Sequence, residues 1–208
     1  MGSEEYLWPE AGHRFFEFTR TRSDAYTWMQ PSLSEYAYMY CESAERLIDL
    51  ACDAPGLLNV HAMPAVFLFR HYVELSLKDM ISVARGLDDR PRGFPDTHGL
   101  ARLWSELRTL LRRIGGKDTS DDMVLLDVVE EMITELDKAD PGSMAFRYPR
   151  GREEAGRPPL LEDEYEYFDM RAFRDQARRL AHFIDGSSTQ LDEWMGIKRD
   201  LNREYGFE

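Results

Sequence analysis

Residues 65–78 read Ala65-Val66-Phe67-Leu68-Phe69-Arg70-His71-Tyr72-Val73-Glu74-Leu75-Ser76-Leu77-Lys78. Turned at about 100° per residue, Val66, Val73, Leu77, Ile81 and Ala84 share one face of a helix. Leu68, Tyr72, Leu75 and Val83 cover much of the opposite side. Between these faces runs a narrow stripe of His71, Glu74 and Lys78, with Arg70 on its edge. A helix that is apolar on two flanks belongs at the centre of a bundle, and charges on its stripe must then be paired or hydrogen-bonded. The spacing predicts this helix over about 58–85, with Gly86 as its C-cap and Pro64 starting it afresh or kinking it.

The flanking sequence repeats the helical pattern. Ser32 and Glu35 form a capping-box signature, followed by Tyr36, Tyr40, Ala44, Leu47, Ile48 and Ala51 at helical spacing until Pro55-Gly56. Thr97 is the expected cap of a third helix with Leu100, Leu103, Trp104, Leu107, Leu110, Leu111 and Ile114 inward, stopped by Gly115-Gly116. A fourth helix is expected from Ser120, with Leu125, Val128, Val129, Met132 and Leu136 as its core face and a turn at Asp140-Pro141-Gly142. Asp169 caps a fifth, with Met170, Phe173, Ala177, Leu180, Ala181 and Ile184 inward and Gly186 as its stop. Ser187 or Ser188 then opens a last helix carrying Leu191, Trp194 and Leu201. The expected fold is all-α: a single up-down bundle of five to six main helices over 31–186, preceded by an aromatic-rich segment, 1–30, and followed by a C-terminal helix, 187–208, packed on the bundle.

Composition narrows the function. The 208 residues carry 26 Lys+Arg against 39 Asp+Glu, a net charge of −13, which argues against a surface that coats nucleic acid throughout but not against a local basic site. No apolar run approaches the roughly 18–20 residues of a membrane span, and Met1–Glu10 has three acids and no base, unlike a secretory signal. Cys41 and Cys52 lie eleven residues apart on one expected helix. That is roughly 16 Å, beyond disulfide reach, so free thiols in a reducing cytoplasm are expected. Residues 118–140 hold nine acids and one lysine, whereas 85–117 hold eight cations and four acids. These blocks are either helix faces attracting each other or a basic rim for a phosphate chain.

Three constellations can carry chemistry. The stripe holds an acid, two cations and an imidazole, a set able to bind phosphate and move a proton, or else only a helical Glu74–Lys78 pair. His98, expected in the first turn of the third helix, sits where a positive helix end favours neutral imidazole and anions. Arg147, between Phe146 and Tyr148 ahead of Pro149, is a candidate phosphate clamp or stacking group, or an anchor to the acidic fourth helix. His71 and Glu74 form one H-x-x-E pair, which without a second predicts no metal, and no cofactor motif is present.

Glu74-Leu75-Ser76-Leu77-Lys78 on a long helix, then a loop, then His98-Gly99-Leu100-Ala101-Arg102-Leu103 opening the next helix, resembles the HEPN superfamily over roughly Ser32 to Gly186. Those proteins are small all-α bundles of prokaryotic toxin–antitoxin and antiphage systems and their eukaryotic relatives. The resemblance implies dimerisation and, in active members, metal-independent ribonuclease chemistry from an Arg and a His with four to six residues between them on a late helix. Here Arg178 and His182 have only three residues between them. They are a divergent pair, or the late site is dead, or Arg70, His71 and Lys78 have taken it over.

The expected function is therefore RNA or nucleotide binding, extending to cleavage. His71 or His98 would move protons, Glu74 would orient them, and Arg70, Lys78, Arg147 and Tyr148 would hold phosphate or base. Arg178 and His182 are secondary candidates. The alternative is a non-catalytic interaction module that dimerises or neutralises a partner protein, without membrane contact.

Overall fold

The computed structural model describes residues 31–116, 119–143, 146 and 168–206. The chain divides into two compact units, Met1–Pro31 and Ser32–Glu208, and the described residues belong almost entirely to the second. The expected N-terminal segment, Arg147 and Tyr148 lie outside the described residues.

Among the described residues, five α-helices and one 3₁₀ turn make up all the regular structure: α1 (Leu33–Asp53), a turn at Pro55–Leu57, α2 (Leu58–Leu87), α3 (Leu100–Ile114), α4 (Ser120–Ala139) and α5 (Met170–Tyr205). This is an all-α bundle. The Ser32 and Asp169 start signals work as expected, and Thr119 adds one that was not foreseen. Ser32 and Glu35 close a reciprocal capping box, Thr119 and Asp122 close another, and Asp169 accepts from the amides of Arg171 and Ala172.

Helix α2 is the central element, packed on α1, α3 and α5, while α4 packs on α3. Its apolar positions Ala65, Val73, Leu77, Ile81 and Ala84 are completely buried, and on α3 Leu100, Leu103 and Leu107 meet them in the same core. The Tyr72 hydroxyl donates to Asp185 Oδ1 at 3.2 Å, tying α2 to α5. Arg85 donates to Glu106 Oε1 at 2.7 Å, tying α2 to α3. The helix runs unbroken through Pro64 and ends at Leu87, one residue past the expected Gly86. Lys198 of α5 donates to the end carbonyls Gly86 O and Leu87 O at 3.0 and 2.9 Å, which satisfies groups that a helix C-terminus leaves bare.

Three expectations need correction. Gly186 does not stop the fifth helix, so no separate helix begins at Ser187 or Ser188. Instead α5 continues for 36 residues and stops at Gly206, which adopts the left-handed conformation (φ +69°) common at helix ends. A glycine inside a helix costs only about 1 kcal/mol, and burial of Ile184 and Leu191 on either side of Gly186 outweighs it. The core face of α4 is rotated: Leu126, Val129, Ile133 and Leu136 are buried, whereas Leu125 and Val128 are exposed. The run Val124-Leu125-Leu126-Asp127-Val128-Val129 offers two apolar registers. In the observed one, Asp127 and Glu130 are ion-paired with Arg108 of α3. The cap of α3 is also not Thr97, and Gly99 occupies that position.

Candidate functional site

Helix α3 begins at Leu100 with Gly99 at its cap position, so His98 lies in the loop before the helix and not in its first turn. Thr97 Oγ1 accepts only from Gly99 N, at 3.2 Å. The first helical amides are taken from another helix: Asp137 of α4 accepts from Leu100 N at 2.7 Å and from Ala101 N at 3.3 Å. A carboxylate at a helix N-terminus suits both the bare amides and the helix dipole. The anion position foreseen there is filled from within the protein.

The same junction surrounds the guanidinium of Arg70, which is fully buried. Its Nη1 donates to Glu74 Oε2 at 2.9 Å, its Nη2 to the carbonyl of His98 at 2.6 Å, and its Nε to the carbonyl of Asp140 at 3.2 Å. The carboxylates of Asp137 and Asp140 stand 3.8 and 3.5 Å away. A planar guanidinium suits such a multi-sided cage. All three of its nitrogens are directed at protein acceptors, so Arg70 acts as a positioning residue that joins α2, the α2–α3 loop and the end of α4.

Glu74 is the hub. One oxygen faces Arg70; the other, Oε1, accepts from Lys78 Nζ at 2.8 Å and lies 2.8 Å from His98 Nδ1. Burial is the largest influence on its carboxyl and pushes the pKa up. The bonds from Lys78 and His98, the Lys78 charge and the Arg70 bond together outweigh it, so the pKa falls below the ordinary 4.5. Glu74 is therefore ionised and can only accept, which places a His98 hydrogen on Nδ1, so that in the neutral imidazole Nε2 is the lone-pair nitrogen. The His98 side chain is 63% exposed, against 2% for Glu74 and 11% for Lys78. The cluster is thus sealed at Arg70 and open at His98. Lys78 Nζ lies 5.5 Å from the ring centre of Phe94, an exposed residue of the α2–α3 loop.

Of the residues singled out in the sequence, the fold brings together Arg70, Glu74, Lys78 and His98. His71 diverges from them: its ring meets Tyr40 of α1 edge-on at 4.4 Å and stacks on Phe67 at 6.1 Å. Arg178 donates to both carboxylate oxygens of Asp49 on α1, at 2.9 and 3.1 Å, and His182 is exposed one turn further along α5. Asp137, Asp140 and Phe94 are additions that the sequence did not reveal. The two acids are indistinguishable within an acidic run, and no helical periodicity singles out Phe94 in the loop between α2 and α3. Among the described residues, no three His, Cys, Asp or Glu side chains converge as a metal cage. A separate cavity of about 470 Å³ lies at the far end of α2, where Leu87 and Ile114 face Trp194 and Lys198 of α5.

The arrangement has defined chemical capacities. A buried carboxylate on Nδ1 fixes the imidazole tautomer and stabilises the imidazolium formed when Nε2 takes a proton, and an ammonium beside it can meet negative charge. Compared with protein-family models, curated proteins and solved structures, the chain matches none of them. The fold places it among all-α helical bundle proteins, and no helix among the described residues is long and apolar enough to cross a membrane.

Proposed function

We propose that this protein is a HEPN-like binder of RNA or nucleotides whose Glu74–His98 dyad, beside Lys78, is equipped to cleave RNA without a metal. The observation that supports it is an ionised, buried Glu74 shared at 2.8 Å by Lys78 Nζ and by the Nδ1 of a solvent-exposed His98. In cleavage, His98 Nε2 takes the proton of a 2′-hydroxyl as that oxygen attacks the adjacent phosphorus. Lys78 meets the charge on the phosphate oxygens, and the departing 5′-oxygen is protonated by water. Free Cys41 and Cys52 fit a cytoplasmic setting, and the resemblance suggests prokaryotic defence or toxin–antitoxin action.

The test is binding of short RNAs and nucleotides, followed by cleavage in the presence of a chelator. His98→Ala should lower cleavage at least about 100-fold, the usual scale of a lost acid–base group, with an unchanged melting curve. No binding of either ligand class by the wild-type protein would overturn the proposal.

A second reading, a dimerising or partner-binding module, is favoured by one observation. Val124, Leu125 and Val128 form an apolar strip on α4 that is 46–63% exposed. A solution mass above that of one chain would support it.

A further inference from the structure

Phe94 has no polar atom with which to offset its exposure, yet 41% of it faces solvent, next to a cluster of charges. Its position is tightly specified. Gly93 adopts φ +140°, a conformation that side-chain-bearing residues rarely take, and Pro95 restricts Phe94 from the other side. The turn beyond is closed by Thr97 N donating to Pro95 O at 2.9 Å. Lys78 Nζ, 5.5 Å from the ring centre, fixes the ring's attitude through a cation–π contact. The same ammonium donates to Glu74, which holds His98. An ordered aromatic surface, a cation and an acid–base imidazole thus stand side by side on one loop–helix junction.

From this juxtaposition we infer that Phe94 is the stacking platform for an unpaired nucleobase, and that the ligand of the site is an unpaired nucleotide unit whose phosphate lies at Lys78 and His98. The inference rests on the proposed RNA- or nucleotide-binding site and narrows it. A base and its phosphate are separated by one ribose, so adjacent protein groups can engage both. Flat apolar rings accept any base on their π-faces. In a duplex those faces are already stacked and only groove edges and backbone are offered, so double-stranded RNA does not fit.

The experiment compares adenosine monophosphate, ribose 5-phosphate, a single-stranded hexa-adenylate and a blunt RNA duplex on the full chain. It uses the wild type, Phe94→Leu and Phe94→Trp, each verified by its melting curve. Phe94→Leu keeps apolar bulk but removes the π-face. It should weaken adenosine monophosphate and hexa-adenylate about 5- to 100-fold while ribose 5-phosphate changes less than two-fold. Phe94→Trp should retain affinity, with tryptophan fluorescence quenched on adding the nucleotide. Tighter binding of the hexamer than of the mononucleotide would identify single-stranded RNA as the source of the base; equal binding would identify a free nucleotide. Equal losses for ribose 5-phosphate and adenosine monophosphate would show that Phe94 only positions Lys78 and overturn the inference. So would unchanged affinity in Phe94→Leu, or a duplex bound as well as the single strand. A wild type that binds none of the four probes removes the underlying proposal itself, a failure visible before any variant is made.

Discussion

Arg70 and Arg178 each stand one helical turn before another candidate site residue, Glu74 in the first case and His182 in the second, and both pair with a carboxylate. Their surroundings differ. The Arg70 side chain is completely buried, with acceptors from α2, the α2–α3 loop and the end of α4, whereas that of Arg178 is 52% exposed and answered by Asp49 alone. In water-screened surroundings such a pair contributes about 0–1 kcal/mol. In a sealed cage the same charges have no water to fall back on, and removing one partner is expensive. The pairing motif is thus a poor guide to importance, and burial decides which arginine the fold depends on.

The widest test of this contrast is Arg70→Met. It removes the buried cation shared by Glu74, Asp137 and Asp140, leaving Glu74 with Lys78, and should cost roughly 3–5 kcal/mol, lowering Tm on the order of 10 °C for a chain of this size. Thermal and urea melts measure it, and a loss no larger than that of Arg178→Ala would break the comparison.

Next in size is Glu74→Gln, for which about 3 kcal/mol is expected at neutral pH from unpaired Arg70 and Lys78. Its pH dependence sharpens the point. The folded pKa of Glu74 lies below the ordinary 4.5, so its stabilisation is fully present above about that value and is lost as pH falls through the folded pKa. The melting temperatures of wild type and Glu74→Gln should therefore converge as pH drops from about 5 towards 3; a gap that widens in acid contradicts the assignment.

The smallest effects belong to α5. Arg178→Ala should cost under about 1 kcal/mol and His182→Ala within about 0.5 kcal/mol, with RNA cleavage, where it occurs, unaltered by His182→Ala. Abolished cleavage with an unchanged melt in His182→Ala would move the chemistry to the late helix.

Much of the fold was legible because its signals are local. The Ser32–Glu35 box, the Asp169 cap and the apolar stripe of α3 depend only on residues three or four apart. The register of α4 was not legible, because adjacent apolar pairs satisfy two helical faces equally and only tertiary packing against α3 distinguishes them. Nor was the continuity of α5, since glycine is only a weak veto once both flanks are packed. In the site, Arg70, Glu74 and Lys78 followed from helical spacing alone. The partnership of Glu74 with His98 spans 24 residues and that of Arg70 with Asp140 spans 70, so both are set by tertiary packing. His71 was placed in the stripe because helical geometry sets it close to Lys78 in angle. Tyr40 of α1 draws its ring the other way.

The Arg70 cage also sets an order on biosynthesis. The arginine leaves the ribosome with α2, but its acceptors at His98 and Asp140 follow 28 and 70 residues later. Until the end of α4 has emerged, α2 can pair with α1 through apolar surface but cannot close over the guanidinium without stranding it. A nascent chain stopped before Asp140 therefore lacks one of the three acceptors that the buried guanidinium uses. The end of α4 supplies the last acceptor of the guanidinium, and the flank of α2 that packs on α5 is covered only when that helix follows.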